Sequence, residues 1–373
     1  MKRNPKRVLV GMSGGVDSSV AAALLVEQGY EVIGITIKTY KYEDVGGNVG
    51  NDSSCCSLDG INDARRVALQ LGIPHYTVDF TDVFKKNIID YFVDSYMSGD
   101  TPNPCVKCNR LIKWQEMLRK ADSLGAEYVA MGHYAYVRKD ADTGRFYISR
   151  GTDQRKDQSY ALWGLTQESL SRTLFPLAGF TKEESRRAAE RFGLPIAAKA
   201  ESYEICFVAD NNYKRFLRDN VKDFDNKMAG GKLVLDGEVI GEHQGFAHYT
   251  VGQRKGLGVS HSEPLFVLNV LAETNTVVVG RDADLLEDGL IAHSANMMKL
   301  AHLDDGRDCV VKIRYKDKGS PAFVQSHADG TITVRFHEAQ RAITPGQSIV
   351  IYDGDDVIGG GIIDKGMVKK ISG

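Results

Sequence analysis

Apolar and polar residues follow two different patterns along the chain, and the first pattern covers about 200 residues. In it, Val8–Val10 within the run KRVLVGM is typical of a buried strand, and the spacing of residues 17–30 predicts a helix that Gly29 ends. The elements predicted next are the strand EVIGITI, the helix 59–72, the strand PHYTVDF, the helices 82–97 and 108–125, the strand AEYVAMGHYA, and a helix with a Thr181–Glu184 capping box. Strands separated by helices predict a parallel sheet covered on both faces.

The second pattern begins near residue 210 and is mostly β-like. GKLVLDGEVIGEH is typical of a hairpin with an Asp-Gly turn, and PLFVLNVLAETNTVVVGR of a hairpin with a longer loop. From about residue 290, CVVKIRYK, SPAFVQSH, GTITVRFH and QSIVIYDGDDVIGGGII predict the short strands of a small barrel. We therefore expect an α/β protein with a catalytic domain at 1–210, a small central domain at 211–285 and a C-terminal β-barrel at 286–373.

Composition narrows the class of protein only a little. The 373 residues are 42% hydrophobic and 26% charged, with a net charge of −2, so an anionic partner would have to bind at local basic patches. The longest apolar run, Val20–Val26, is far shorter than the roughly 20 residues that span a bilayer, and no signal peptide is evident. We therefore expect a soluble, cytoplasmic protein with no membrane partner. In that compartment the six Cys indicate metal binding or catalysis rather than a disulfide framework.

A glycine-rich segment, GMSGGVDSS, joins the first predicted strand to the first helix. Its glycines allow a tight bend and close approach to a ligand, and its N–H groups together with the helix N-terminus form an anion site. The spacing is not that of the nucleotide-binding P-loop, because no Gly-Lys-Ser/Thr follows. The alternative is a simple turn in which Asp17 or Ser18 caps the helix.

Three cysteines lie in segments that suggest chemistry. In TPNPCVKCNRLIKW two prolines precede Cys105, and Cys108 lies where a helix is predicted to begin, a position that lowers a thiol pKa. Cys206 lies in the short apolar run of KAESYEICFVADN, where an isolated Cys is by default a small buried hydrophobe. Cys309 is predicted to pack in a strand, and Cys55 and Cys56 lie in a polar loop with no assigned role.

The glycine-rich segment resembles the pyrophosphate (PP) loop of ATP pyrophosphatases, which cleave ATP between its α- and β-phosphates. With the other motifs the whole chain resembles the tRNA-specific 2-thiouridylases, a family that places sulfur on C2 of the wobble uridine. The matching segments are GMSGGVDSS, TPNPCVKCNRLIKW, MGHYA, KDQSYAL, LFPL, EICFV, GEHQGFAHYTVGQRKGLG, KIRY and TPGQS. The resemblance implies a Rossmann-like PP-loop domain of the adenine-nucleotide α-hydrolase type, followed by a central domain and a β-barrel that grip the anticodon arm.

The resemblance also implies a reaction. ATP, with Mg²⁺, would convert the C2 oxygen of uridine 34 in the Lys, Glu and Gln tRNAs to an adenylate, so that the oxygen leaves with AMP. Cys206 would carry a persulfide whose outer sulfur attacks C2, and Cys108 would be the nucleophile that releases hydrosulfide or closes a disulfide with Cys206. A cysteine desulfurase or a sulfur-relay protein would supply the sulfur. The expected activity is that of a tRNA-uridine 2-sulfurtransferase.

The resemblance assigns further residues to ATP and to tRNA. The implied ATP contacts are Gly11, Met12, Ser13, Gly14, Gly15, Val16, Asp17, Ser18, Ile37 and Gly132. The implied contacts with the target base or the tRNA are Asn103, Pro104, Cys105, His133, Lys156, Asp157, Gln158, Arg314, Tyr315 and Gln347. A basic residue beside an aromatic one, as in Arg314-Tyr315, suits phosphate contact combined with base stacking.

At one position the chain departs from a familiar form of the family, which has Asp where this chain has Cys105. The change creates a Cys-x-x-Cys pair, and Cys105, Cys108 and Cys206 could then ligate a [4Fe–4S] cluster that carries the sulfur. Zinc is a third alternative, although no fourth ligand is evident. Two other functions remain open: a PP-loop ATP pyrophosphatase acting on another acceptor, and a non-catalytic tRNA- or metal-binding module.

Overall fold

The computed structural model of the chain describes residues 6–40, 58–197, 199, 205–208 and 210–368. Cys55 and Cys56 lie outside these residues. The chain divides into two compact units. Unit 1 contains residues 1–88, 105–212 and 355–357, and unit 2 contains residues 89–104, 213–354 and 358–373. No helix in the described ranges combines the length and the apolar character needed to cross a membrane.

The strands of the described residues fall into three groups along the chain. The first group is β1 (Arg7–Gly11), β2 (Glu31–Lys38), β3 (His75–Asp79), β4 (Tyr128–Ala130), β5 (Ala135–Lys139), β6 (Phe146–Arg150) and β7 (Thr173–Leu174). The second is β8 (Gly231–Leu235), β9 (Glu238–His243), β10 (Phe266–Leu271) and β11 (Thr276–Gly280). The third is β12 (Leu286–Met297), β13 (Arg307–Lys312), β14 (Ser320–Ser326), β15 (Ile332–Arg341), β16 (Ser348–Asp353) and β17 (Asp356–Val368).

The helices are concentrated in the first 230 residues. They are α1 (Val16–Glu27), α2 (Leu58–Leu71), α3 (Thr81–Phe84), α4 (Asp90–Met97), α5 (Pro104–Cys108), α6 (Met117–Ser123), α7 (Gln167–Ser171), α8 (Lys182–Arg191), α9 (Tyr213–Asn220) and α10 (Phe224–Met228). Two π-helical segments, Lys85–Ile89 and Asn109–Glu116, make α3–α4 and α5–α6 continuous. Short 3₁₀ turns occur at Ser159–Leu162, Phe246–His248, Ala272–Thr274 and Asp282–Leu285.

Unit 1 is built on a sheet of parallel strands, as the alternating pattern predicts. Among the described residues its order is β3-β2-β1-β4-β7, and the pairings of β1 with β2 and with β4 are parallel. Val8 and Val10 of β1 are fully buried in one apolar core with Val20 of α1 and Ala189 of α8. In this order the chain runs from β1 to β2 on one side and later reaches β4 on the other side of β1, so the strand order reverses between β1 and β4. In open α/β sheets such a point, at the carboxyl ends of the strands, is where ligands bind.

Unit 2 contains a small sheet and a closed barrel. In the described part of the unit the small sheet has the order β10-β11-β8-β9, and the barrel runs β12-β15-β14-β13-β16-β17 and closes by pairing β12 with β17. The predicted Asp-Gly hairpin is confirmed, since Asp236 and Gly237 both have positive φ between β8 and β9. Cys309 is buried in β13, as predicted.

Several predicted elements differ from the structure. The helix expected from Cys108 begins at Pro104, because the fixed φ of proline suits a first helical position. The short apolar run around Cys206 forms a turn. The predicted strand AEYVAMGHYA is divided between β4 and β5, and its central residues form a loop. The hairpin β5–β6 carries no strong apolar alternation and is absent from the prediction.

Candidate ATP and thiol site

The glycine-rich loop lies at the carboxyl end of β1, between that strand and α1. Gly14 has φ +70°, and a Cβ there would overlap the backbone carbonyl of Gly60 in α2, so the position requires glycine. Gly15 is the N-cap of α1 and supplies no side-chain hydrogen bond to the helix. Neither Asp17 nor Ser18 caps the helix, which removes the simple-turn alternative. The first-turn N–H groups of α1 are therefore not capped by a side chain, as an anion site requires.

Hydrogen bonds to neighbouring groups hold the loop in shape. The Met12 N–H donates to Ile35 O at 2.7 Å, and Thr36 Oγ1 donates to Met12 O at 2.7 Å. The Ser13 N–H donates to Ser18 Oγ at 3.1 Å, and Ser18 Oγ donates to Gly15 O at 3.2 Å. Met12 and Ser13 thus use their N–H groups inside the protein. The backbone from Gly14 onward is the part of the loop that is arranged for an anion.

The acidic residue of the loop belongs to a network that the sequence does not reveal. The Lys182 ammonium lies 2.7 and 2.9 Å from the two carboxylate oxygens of Asp17. The Lys182 side chain is only 8% exposed, whereas that of Asp17 is 31% exposed. The Tyr134 hydroxyl donates to Asp17 Oδ1 at 2.7 Å, and its oxygen lies 2.8 Å from Ser185 Oγ. A buried cation and a hydroxyl therefore fix the Asp17 carboxylate beside the loop.

Ile37 lies on β2 and Gly132 follows the end of β4, and these two strands flank β1. A Cβ on Gly132 would come within 2.7 Å of the Asp17 carbonyl carbon, so glycine at this position lets the end of β4 pack directly on the start of α1. Ile37 is half-buried near the end of β2. Both residues thus border the loop at the carboxyl edge of the sheet. This edge holds all the sequence-predicted ATP residues.

The paired cysteines lie at the start of the α5–α6 helix. Cys105 is exposed and Cys108 is half-exposed, three residues apart on one helix face. Val106 and Asn109, on the adjacent side of the helix, are buried, and the Asn109 amide donates to Ala161 O at 2.9 Å. The helix therefore packs through one face and presents both thiols on the other.

Cys206 lies in the turn 205–208 of unit 1, half-exposed. Phe207 next to it is 1% exposed and packs edge-on against Phe84, with ring centroids 5.8 Å apart, which anchors the turn. Cys105, Cys108 and Cys206 are present as thiols. Within the described ranges no group of three His, Cys, Asp or Glu side chains is arranged to hold a metal ion.

His133, in the MGHY segment, is a buried side chain. His133 is 8% exposed, with its ring between Trp114 and Phe175, each centroid 5.5 Å away. Burial, and to a lesser extent the charge of Lys113, lower its pKa well below the ordinary value. His133 is therefore a buried ring, and its contact with the tRNA or with the site stays a prediction.

The KDQ residues mainly form internal hydrogen bonds. Gln158 Oε1 accepts from the Tyr134 N–H at 3.0 Å. This hydrogen bond holds the backbone of Tyr134, whose hydroxyl donates to Asp17. Asp157 accepts from the Ser159 N–H at 3.1 Å and from the Ser159 hydroxyl at 2.8 Å. Lys156 is half-exposed. The contacts of Lys156, Asp157 and Gln158 with tRNA stay predictions.

The remaining predicted tRNA residues lie in unit 2. Arg314 and Tyr315 lie in an exposed turn after β13, with Tyr315 46% exposed. Asp317 fixes this turn by accepting from the Ile313 N–H at 3.0 Å and the Gly319 N–H at 3.1 Å. The result is a hydrogen-bonded turn that presents an aromatic ring beside a basic side chain.

Asn103, Pro104 and Gln347 belong to a different part of unit 2. Asn103 is half-exposed and Pro104 is buried at the point where the chain enters α5. Gln347 is half-buried, and its amide nitrogen donates to Thr101 O at 2.8 Å. The structure therefore brings Gln347 close to the segment that precedes the cysteines.

Family models match the chain in three consecutive ranges. A model described as a tRNA methyl transferase HUP domain matches residues 6–210, and one described as a tRNA methyl transferase PRC-barrel domain matches residues 218–281. An aminomethyltransferase beta-barrel domain model matches residues 287–363. Together the three ranges cover most of the chain.

Curated relatives are similar along almost the full length. The tRNA-specific 2-thiouridylase MnmA of Salinibacter ruber is 50% identical over 359 residues, which cover 96% of this chain and 94% of that protein. The protein of the same name from Amoebophilus asiaticus is 51% identical over 96% of this chain and 95% of its own. That from Clostridioides difficile is 46% identical over 97% of this chain and 99% of its own.

Proposed function

Because the chain belongs to the tRNA-specific 2-thiouridylase family, we propose that it catalyses the ATP-dependent 2-thiolation of uridine 34 in tRNA. The Lys, Glu and Gln tRNAs are the proposed acceptors. We further propose that residues 1–210 form the catalytic domain and that 211–285 and 286–373 bind the anticodon arm. The observation that carries the proposal is the uncapped glycine loop at the switch point of the parallel sheet, with the three thiols in the same unit.

ATP would bind with its phosphates at the start of α1. The backbone from Gly14 to Ser18 offers N–H donors, and the helix N-terminus favours negative charge. Mg²⁺ bound to ATP phosphates typically needs only one or two protein carboxylates, and Asp17 is the carboxylate at this loop. When bound, the ion would neutralise phosphate charge. Lys182 holds Asp17 in place and contributes positive charge close to the phosphates.

The first chemical step creates a leaving group. The C2 oxygen of the uracil attacks the α-phosphorus of ATP, the bond to the β-phosphate breaks, and pyrophosphate leaves. The oxygen is then part of an adenylate, which can depart as AMP. The loop geometry supports this step because its N–H groups are donors that can bind the phosphates and stabilise the charge that develops on them.

The second step replaces oxygen by sulfur. A persulfide on Cys206 attacks C2 through its outer sulfur, and AMP leaves with the original oxygen. The Cys108 thiolate then attacks the inner sulfur of Cys206, so that the S–S bond breaks, its electrons remain on the thiocarbonyl sulfur, and a Cys108–Cys206 disulfide forms. An external dithiol must reduce that disulfide before a cysteine desulfurase or relay protein reloads Cys206. Cys105 has no acid–base part in this scheme.

Nucleoside mass spectrometry of unmodified tRNA incubated with enzyme, ATP and a sulfur donor tests the proposal. We expect 2-thiouridine in the anticodon loop, with AMP and pyrophosphate released in the same amount. Cys206→Ser and Cys108→Ser should form less than about one hundredth of the thiolated product and still cleave ATP, because neither thiol is part of the loop.

Cys309→Ser is the matched control, since this thiol is buried in the barrel and should leave the rate unchanged. Undiminished thiolation by the Cys108→Ser, Cys206→Ser double variant would refute the persulfide scheme. ATP cleavage that requires some acceptor other than tRNA would instead favour an ATP pyrophosphatase with a different substrate. Iron in stoichiometric amount in anaerobically purified enzyme would favour the cluster route.

A further inference from the structure

Residues 252–258 of unit 2, which precede β10, form a loop that we call the basic loop. Two backbone hydrogen bonds attach it to β10. The Gly252 N–H donates to Val267 O at 2.8 Å, and the Val267 N–H donates to Gln253 O at 2.9 Å. At the other end of the loop the Leu257 side chain is 6% exposed. The basic loop is therefore held to unit 2 at both of its ends.

The tip of the basic loop presents two exposed cationic side chains, Arg254 and Lys255. The Gln253 amide fixes the backbone on either side of Arg254, because its Oε1 accepts from the Thr250 N–H at 3.2 Å and its Nε2 donates to Lys255 O at 2.9 Å. Within the described residues neither cation of the loop forms an ion pair with a carboxylate. By contrast, five of the eight arginines of unit 2 are paired with carboxylates: Arg215, Arg218, Arg281, Arg307 and Arg341. The charges of the basic loop can therefore serve an anion from outside the protein.

A second basic segment, residues 314–318, follows β13, and we call it the basic turn. Its three cationic side chains, Arg314, Lys316 and Lys318, are all exposed. Its one carboxylate, Asp317, accepts two backbone N–H groups of the turn. The basic loop and the basic turn thus carry five cations and one carboxylate, in a chain whose net charge is −2. Such a local excess of positive charge attracts polyanions.

The basic loop and the basic turn meet at the end of β15. Gly252 has φ +85°, and a Cβ there would come within 2.8 Å of the Ala342 Cβ and 3.9 Å of Arg341 Nη1, so the start of the loop packs closely on this strand end. On the side of the turn, Arg314 Nη2 donates to Arg341 O at 3.3 Å. The charge of Arg341 itself is balanced by Asp282, whose carboxylate lies 2.8 Å away. The exposed cations of both segments therefore flank one point of unit 2.

From this juxtaposition we infer that the basic loop and the basic turn form one surface that binds the sugar–phosphate backbone of tRNA. The inference rests on the proposed function and adds the basic loop, in which no residue has an assigned role, to the tRNA-binding surface. Lys and Arg side chains bind RNA phosphates and release their counterions whatever the base sequence is. The basic loop contains no aromatic side chain, so its contacts are with phosphates. The ring of Tyr315, 46% exposed among the cations, can stack on a base, which favours RNA over an acidic protein.

A variant that removes both charges of the basic loop, Arg254→Gln with Lys255→Gln, tests the inference. We expect the Kd for tRNA, measured by filter binding at about 0.1 M salt, to rise roughly tenfold, because two phosphate contacts and their counterion release are lost. For the same reason the slope of log Kd against log salt concentration should fall by about one to two. The rate of 2-thiouridine formation at saturating tRNA should stay at the wild-type value, because the basic loop contributes no residue to the ATP and thiol site.

The matched control is the double variant Lys232→Gln with Arg335→Gln. Both side chains are exposed in unit 2, and their replacement changes the net charge by the same amount. Lys232 pairs with Thr276, at the end of the small sheet opposite to the start of β10, where the basic loop is attached. Arg335 lies about 20 Å along β15 from Arg341. The control should bind tRNA as the wild type does, and an equal loss of affinity in it would overturn the inference.

Three further results decide between the possible occupants of this surface. The loss of affinity should be the same for a tRNA that lacks U34, since backbone contacts carry no sequence information, and a loss confined to one tRNA would overturn the inference. An unchanged Kd and salt slope in the basic-loop variant would also overturn it. If thiolation then slows only when a protein supplies the sulfur, and not with inorganic sulfide, the surface binds an acidic protein instead. If the wild type binds tRNA and forms no 2-thiouridine, the proposed function fails, and the comparison of Kd values still decides on the surface.

Discussion

Replacing Asp17 by Asn separates the structural role of this residue from its role in ATP chemistry. The variant keeps the shape of the side chain and removes the carboxylate charge that lies 2.7 Å from the Lys182 ammonium, which is 8% exposed. Removing one partner of a buried ion pair costs about 3–5 kcal/mol. Because the Asp17 side chain is 31% exposed, water partly screens this pair, and we expect a loss of about 2–3 kcal/mol in the free energy of unfolding of unit 1.

A double-mutant cycle with Lys182→Met isolates the pair itself. Methionine has a similar length and no charge, so the Asp17→Asn, Lys182→Met variant has neither charge of the pair. We expect it to recover about 1–2 kcal/mol relative to Asp17→Asn alone. ATP cleavage should remain lost in both variants, because neither restores a carboxylate at the phosphates.

The assay uses the two tryptophans of the chain, Trp114 and Trp163. Both lie in unit 1 and are 0% and 3% exposed, so the change in their fluorescence during urea unfolding reports on this unit. Parallel measurements of pyrophosphate release give the catalytic effect. If the destabilisation of the double variant equals the sum of the two single effects, the Asp17–Lys182 contact contributes no coupling and this reasoning is wrong.

Three further outcomes follow from the geometry. Burial, with the nearby cationic side chains, lowers the pKa of His248 to about 4, so between pH 6.5 and 4 the unfolded chain binds a proton that the folded chain does not. Stability should therefore fall as the pH drops through this range, by at most about 1 kcal/mol per pH unit. His248→Phe should reduce this pH dependence in thermal unfolding at pH 7 and pH 5, and an unchanged dependence would contradict the assignment. Gly14→Ala should reduce the rate of ATP cleavage at least about tenfold. Gly29→Ala is the control, because Gly29 has a similar φ and open space around it, and it should leave this rate unchanged. Equal rates of ATP cleavage in the two variants would exclude a steric role for Gly14. Tyr315→Ala should weaken tRNA binding by about 1–3 kcal/mol, measured by filter binding against the exposed control Tyr76→Ala, and equal affinities would remove Tyr315 from the interface.

Features with a local cause could be predicted from the sequence. The strand–loop–helix around the glycines follows from apolar spacing, and the capping box of Thr181 and Glu184 is confirmed with both hydrogen bonds present. The Asp236-Gly237 turn is likewise confirmed, because only residues that tolerate positive φ fit it. In each case the residues that decide the structure are close neighbours in the chain.

Features with a distant cause could not be predicted. Lys182 lies 165 residues from Asp17, and in the sequence it is only a charged residue at a helix start. The same holds for Gln347 and Thr101, separated by 246 residues. The turn at Cys206 could not be predicted because a short apolar run has the same pattern in a strand and in a turn anchored by one buried aromatic residue, Phe207. The sequence therefore identified the chemical groups, and the fold supplied the partners that orient them.

The brief return of the chain to unit 1 near its end has a consequence for synthesis on the ribosome. Asp356 pairs with Ser149 of β6, and Asp355 O accepts from the Arg150 N–H at 2.9 Å, so residues 355–357 complete a structure begun 200 residues earlier. A nascent chain shorter than this carries the whole glycine loop but leaves one edge of the β5–β6 hairpin without its last strand. The unit that handles ATP thus cannot be finished before nearly all of the barrel has been translated, and an mRNA truncated upstream of that point would encode an incomplete nucleotide-binding unit.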